Sequence, residues 1–221
     1  MVDAYAREDA DSPKLPNNID YRSLVGSLLY VSVNARPDIA AATSVLARKV
    51  AQPTEADWIA AKRVIRYLRG TIDWTLKFTG VDMKLRGYTD ADWSGDQRTR
   101  KSTSGYVFTL GGTAIAWRSK QQSSVSLSSM ESEYIALSEA AQEVLWLQRL
   151  LADLDAEQQG PTVMYEDNQS CIAFVRSERI TKRSKHIETK QMFVKDLCEK
   201  GRIRLEYLCT EEMIADALTR T

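Results

Sequence analysis

Gly105-Tyr-Val-Phe-Thr-Leu110-Gly111-Gly112-Thr113-Ala-Ile-Ala-Trp117 is the stretch that decides the fold. Two runs rich in Val, Ile, Tyr, Phe and Thr flank a pair of glycines, and such a pair supplies the positive φ angles of a two-residue hairpin turn. The reading predicts strands over 105–110 and 113–117, adjacent and antiparallel. Upstream, residues 84–90 read as a further strand after a turn at Gly80 to Asp82. Downstream, a long helix is predicted from about Ser128 to Leu154, with Leu137, Ala141, Val144, Leu147, Leu151 and Leu154 on one stripe. Strand character returns at 162–165 and 202–208. Helical patterning covers 168–175, 187–197 and 211–218. The order βββαβααβα predicts an α/β fold, a mixed five-stranded sheet flanked by helices.

The part before the sheet has another character. Leu24, Leu28, Leu29 and Val31 recur at helical steps, and Pro37 opens a second helix that runs to about Val50. Thr54-Glu-Ala-Asp57 resembles a capping arrangement ahead of a third apolar stripe, Trp58, Ala61, Val64, Ile65 and Leu68, which Gly70 ends. Residues 74–78 read as a short strand. The organisation predicted is a flexible acidic leader over 1–18, a small helical subdomain over 19–80 and an α/β domain over 84–221.

Composition excludes several classes. In 221 residues with 43% hydrophobic content, a sizeable core can be buried. Thirty basic and thirty acidic side chains cancel, so a polyanionic partner must be met by local patches. Three cysteines, Cys171, Cys198 and Cys209, lack the close spacing of a zinc site, and one histidine cannot complete one. They read as reduced thiols of a cytosolic or nuclear protein. The first twenty residues are polar and acidic, unlike a secretory signal, and no apolar stretch reaches the ~20 residues that span a bilayer.

Four acidic motifs follow one another: Tyr88-Thr-Asp90-Ala-Asp92-Trp93, Ser129-Met-Glu131-Ser-Glu133-Tyr134, Tyr165-Glu-Asp167-Asn168 and Ala215-Asp216-Ala217-Leu218. Carboxylates are costly beside apolar strand and helix residues, and four such placements point to a metal ion. With Leu137 as the buried reference, Glu133 lies about 40 degrees away, Glu131 and Glu143 about 120 degrees, and Glu139 points opposite. Glu133 alone is expected to face the sheet. Asp90 and Asp92 share a strand face, so phase does not choose between them. Asp167 falls at a strand end, where the functional loops of α/β sheets gather. Asp216 stands between Ile214 and Leu218, the apolar pair of a terminal helix.

Residues 88–220 resemble the ribonuclease H domain at the end of a copia-type retrotransposon Pol polyprotein. Ser104-Gly-Tyr106, Trp117-Arg-Ser-Lys120, Asp167-Asn-Gln-Ser170 and Lys185-His-Ile-Glu188 carry the likeness beside the acidic motifs. Tyr21 to Tyr30, Arg36-Pro-Asp38 and Ala60 to Gly70 resemble the segment between palm and ribonuclease of the same reverse transcriptase. The resemblance implies hydrolysis of the RNA strand of an RNA–DNA hybrid by two magnesium ions, with manganese as a substitute, held by Asp90, Glu133, Asp167 and Asp216. It implies partners in the hybrid and in the polymerase palm of the parent polyprotein, and a cytoplasmic setting, including virus-like particles, or a nuclear one.

Basic residues suited to a phosphate backbone are Arg118 and Lys120 after the hairpin, and Arg179, Lys182, Arg183 and Lys185 after the fourth strand. His186 lies before the last strand, whereas the mobile histidine of cellular ribonucleases H follows it, so a structural or phosphate-side role is expected. Of five tryptophans, Trp93 beside the acidic pair is the one that invites a test. The chain departs from the family pattern at Met130, Ser132, Cys171, Met192 and in the loop 177–181, and no departure removes a metal ligand. It contains no Tyr-x-Asp-Asp pair, so DNA synthesis by this chain alone is not expected. The competing reading is a catalytically inactive nucleic-acid-binding or structural remnant.

Overall fold

In the computed structural model of the chain, the described residues are 12–177 and 185–220, the side chains of 185–191 excepted. The chain forms two compact units, one ending at Leu76 and the other spanning Lys77–Thr219.

The first unit packs α1 (Ile19–Asn34), a 3-10 turn (Pro37–Ile39), α2 (Ala40–Ala47) and α3 (Glu55–Gly70). Tyr21, Val25, Leu28, Ile39, Leu46 and Ala61 form its core, and the buried Tyr21 hydroxyl donates to the Leu46 carbonyl at 2.9 Å. Thr54 caps α3 in a reciprocal box with Asp57, as the sequence pattern suggests. Residues 12–18, expected to belong to a flexible leader, are instead tied to the turn before α3. Leu15 N–H donates to the Pro53 carbonyl and Glu55 N–H to the Pro13 carbonyl, both at 2.9 Å, and Leu15 packs against the core. The strand expected over 74–78 does not form. Trp74 and Phe78 are 61% and 63% exposed, and the Trp74 ring meets Tyr67 edge-on at 6.1 Å rather than joining a ladder.

The second unit is built on β1 (Arg86–Asp92), β2 (Thr103–Leu110), β3 (Thr113–Gln121), α4 (Ser129–Asp153), β4 (Thr162–Glu166), α5 (Gln169–Arg176), α6 (Lys185–Glu199) and β5 (Ile203–Tyr207). Strand order is β3-β2-β1-β4-β5, with β1, β2 and β3 antiparallel and β4 parallel to both β1 and β5. Gly111 and Gly112 take φ of 60° and 82°, the mirror-image turn that matches the twist of a hairpin. One face of α4 supplies Leu137, Ala140, Ala141, Val144, Leu147 and Leu151 to a core shared with Phe108, Met164, Ile203 and Leu205. The helix expected over 211–218 is two 3-10 turns, Thr210–Glu212 and Ile214–Leu218, separated at Met213, whose extended backbone (ψ 95°) lets its side chain bury. The element order is otherwise the predicted one, and the five-stranded mixed sheet with flanking helices is ribonuclease H-like.

Candidate active site

Two ladders of β1 end at different places. Pairing with β2 continues to Asp92 opposite Thr103, whereas pairing with β4 stops at Tyr88 opposite Tyr165. Beyond that point the parallel strands part, and their carboxyl ends open the kind of crevice in which α/β sheets place ligands. Asp90 on β1, Glu133 on the first turns of α4 and Asp167 just after β4 meet there, each offering an oxygen within 4.8 Å of the others. Glu133 is 6% exposed. The start of α4 is fixed by Ser128, whose hydroxyl accepts from Glu131 N–H at 3.2 Å, and by Glu131, which accepts from Leu127 N–H at 2.8 Å. Glu143, expected to point away from the sheet, reaches the Tyr106 hydroxyl on β2 at 3.2 Å.

A fourth acid lies beneath the three. Glu166 is fully buried; Oε2 accepts from Thr89 Oγ1 at 2.8 Å and Oε1 from Asn168 N–H at 3.2 Å. Burial holds the Glu133 carboxyl well above the usual carboxylate range, and the neighbouring charges of Glu166, Asp90 and Asp167 push the same way. Burial likewise raises Glu166, against the two donors that favour its ionised form. Glu133 Oε2 is buried without a hydrogen-bond partner. A crowded set of hard oxygens, one of them unsatisfied, fits a hard divalent cation. Sequence reading had passed over Glu166. Its signal was the period of β4, where Thr162, Met164 and Glu166 alternate onto the buried face.

Asp92 takes a different place from Asp90. Its Oδ1 accepts Thr103 N–H, and a Cβ on Gly95 would lie 1.8 Å from its Oδ2, so the side chain folds into the β1–β2 connection. Asp216 is half-buried on the last 3-10 turn and is not one of the three converging acids. That turn reaches the site through Thr219, fully buried, which donates through Oγ1 to Asp90 Oδ2. Gly105, opposite Asp90 on β2, makes room for it: a Cβ there would lie 2.8 Å from Thr219 Cγ2 and 2.9 Å from Leu218 Cβ. Arg118 and Lys120 are exposed on β3. Arg179, Lys182 and Arg183 lie outside the described residues, as do the side chains of Lys185 and His186. Trp93 is 55% exposed at the exit of β1, and its indole N–H donates to the Ser126 carbonyl at 3.2 Å.

No family model matches the chain. Among curated relatives, the retrovirus-related Pol polyprotein from transposon TNT 1-94 of Nicotiana tabacum is 40% identical over 220 residues, the whole of this chain and 16% of that protein. The Pol polyprotein from transposon RE2 of Arabidopsis thaliana is 36% identical over 94% of the chain and 14% of its own length, so the chain spans about a sixth of these relatives. Secreted RxLR effector protein 161 of Plasmopara viticola is 52% identical over 131 residues, 59% of the chain and 92% of that protein. Among solved structures, a foamy viral protease-reverse transcriptase aligns over 95% of this chain and 35% of its own at a TM-score of 0.54 and 12% identity. With these relatives, the chain belongs to the retrovirus-related Pol polyproteins of transposons, and its second unit has a ribonuclease H-like fold.

Proposed function

We propose that the second unit hydrolyses the RNA strand of an RNA–DNA hybrid with the help of two divalent cations, magnesium in the first place and manganese as a substitute. The observation that carries the reading is the convergence of Asp90, Glu133 and Asp167 in the crevice between β1 and β4, with Glu133 Oε2 buried and unsatisfied. These residues would hold the metal, and Asp216 would join from the final turn as a fourth ligand. Bound cations would supply an activated water and charge to stabilise the leaving 3′ oxygen. The chain's own part is placement. Thr210 Oγ1 donates to Asp167 Oδ2 at 2.6 Å, and Thr219 Oγ1 donates to Asp90 Oδ2. Each donor holds its carboxylate in place for a cation. Arg118 and Lys120, with Arg179, Lys182, Arg183 and Lys185, would meet the phosphates of the hybrid. The polymerase palm of a longer Pol chain would be the second partner, in keeping with the sixth of the tobacco polyprotein that this chain spans.

A second reading, nucleic-acid binding without cleavage, has one observation in its favour: the Plasmopara protein, 92% of which aligns here, carries the name of a secreted effector rather than of a polymerase. Cleavage of a labelled RNA–DNA hybrid in magnesium separates the two. The ribonuclease reading expects cutting by the parent chain and its loss in Asp90→Asn. Equal cutting by both, or binding without cutting by the folded parent, overturns it.

A further inference from the structure

Gln121 ends β3 and Gln122 follows it, and the two point to different tasks. Gln121 Nε2 donates to Asp96 Oδ2 in the β1–β2 connection at 2.7 Å. Gln122 turns inward and is 3% exposed. Its Nε2 donates to Ser104 Oγ on β2 and to the Ser132 carbonyl on the first turn of α4, both at 2.9 Å, and its Oε1 accepts from Ser126 Oγ at 2.8 Å. Its backbone N–H donates to the Ser102 carbonyl at 2.8 Å.

A buried primary amide costs several kcal/mol unless it is bonded, so a fully used one specifies the arrangement around it. Here the arrangement includes the site. Ser132 is the residue before Glu133, and an incoming bond on its carbonyl restrains the turn on which that carboxylate rides. Ser126 belongs to the loop between β3 and α4, where Val125 and Leu127 stand 48% and 87% exposed. The Ser126 carbonyl also accepts the Trp93 indole N–H, so the exit of β1 is fastened to the same loop. One side chain thus joins β2, the turn bearing Glu133 and a loop that Trp93 ties to the strand carrying Asp90.

We propose that Gln122 is a positioning residue that holds Glu133 and the rim formed by Trp93 and residues 123–127 in a single register, so that metal binding and grip on the nucleic acid depend on it together. The half that concerns nucleic acid rests on the ribonuclease reading; the half that concerns metal does not. Metal ligands lose roughly 10- to 100-fold in affinity when a residue that orients them is removed.

The test uses the full chain and three variants: Gln122→Met, which keeps length and removes all three side-chain bonds; Ser126→Ala, which removes only the tie to the loop; and Ser104→Ala, a milder cut at β2. Magnesium binding is read by the shift of the melting curve, and hybrid cleavage gives kcat and KM. Gln122→Met should raise the magnesium midpoint about tenfold and raise KM, with kcat recovering at saturating magnesium. Ser126→Ala should raise KM several-fold with the magnesium midpoint unchanged, a split that general loss of stability would not produce. Should Gln122→Met not fold, Ser104→Ala decides, with a smaller rise in the magnesium midpoint expected. A folded Gln122→Met with the parent's magnesium midpoint and KM overturns the proposal. A parent that binds magnesium but leaves the hybrid intact overturns the ribonuclease reading, and the midpoint of Gln122→Met still decides the positioning role.

Discussion

Asp57 in the helical unit and Glu133 in the sheet unit are both buried carboxylates near the start of a helix, yet they are treated in opposite ways. Asp57 is fully buried, and its Oδ2 accepts from Thr54 N–H at 2.7 Å and from Thr54 Oγ1 at 2.9 Å. It sits at the helix position where a negative charge is favoured, and its work is done inside the fold. Glu133 faces three other acids and keeps a buried oxygen without a partner. A saturated buried acid is part of the architecture. An unsaturated one among like charges calls for a cation from outside.

The sharpest way to break that comparison is to remove one acid from each unit. Asp90→Asn should lower magnesium-dependent hybrid cleavage by at least about a hundredfold, the low end of what losing one electrostatic stabiliser costs. Asp57→Ala should leave the rate per folded molecule unchanged and lower stability by about 1 kcal/mol, as loss of a cap does. Denaturation midpoints with single-turnover rates check both, and an Asp57→Ala rate as poor as that of Asp90→Asn would erase the distinction.

Gly105→Ala probes whether the final turn must lie close to Asp90. The added methyl would meet Thr219 and Leu218 below 3.0 Å. A cost of about 1–3 kcal/mol is expected from such overpacking, together with slower cleavage as Thr219 withdraws. A variant of parental stability and rate would show that the turn can shift without consequence.

The acids also set a pH dependence. Glu133 and Glu166 hold their protons more tightly in the folded chain than in the unfolded one, chiefly through burial. The folded state is therefore favoured at low pH, and that advantage is lost as pH rises from the ordinary carboxylate range towards neutrality. Without divalent cations, stability should fall by about 1 kcal/mol or more between pH 5 and pH 8, and added magnesium should flatten the fall. Melting temperatures over that range, with and without magnesium, give the answer; a metal-free stability that rises with pH would contradict the crowding of the acids.

The smallest effect is expected at Asp92. Its Oδ1 serves the Thr103 N–H, a bond that asparagine can keep. Asp92→Asn should change the cleavage rate by less than about threefold, equivalent to roughly 0.7 kcal/mol in the barrier. A deep loss would return Asp92 to the metal site.

Much of the site was legible because periodicity is a local property. The phase of α4 pointed Glu133 at the sheet, and the 6% exposure of that residue agrees with it. The Gly-Gly hairpin and the order of strands followed from turn chemistry and β-forming runs. Strand phase was silent where Asp90 and Asp92 share a face, and it was silent for a reason: what separates them is where the β4 ladder stops and how the β1–β2 connection folds back. The expected strand over 74–78 and the expected terminal helix failed because tertiary packing outweighed local pattern, with Trp74 resting on Tyr67 and Met213 pulled into the core.

By itself, then, the sequence determined the element order, the helical face that carries Glu133 and the acids available for a site, since each depends on spacing along a few turns of chain. Only the tertiary structure decided that β1 and β4 part after Tyr88 and Tyr165, that Glu166 lies beneath the site, and that Thr219 and Gln122 reach it from distant segments. Those contacts join residues as far apart as Asp90 and Thr219, and which carboxylates crowd together depends on the paths of separate segments, which no local pattern records.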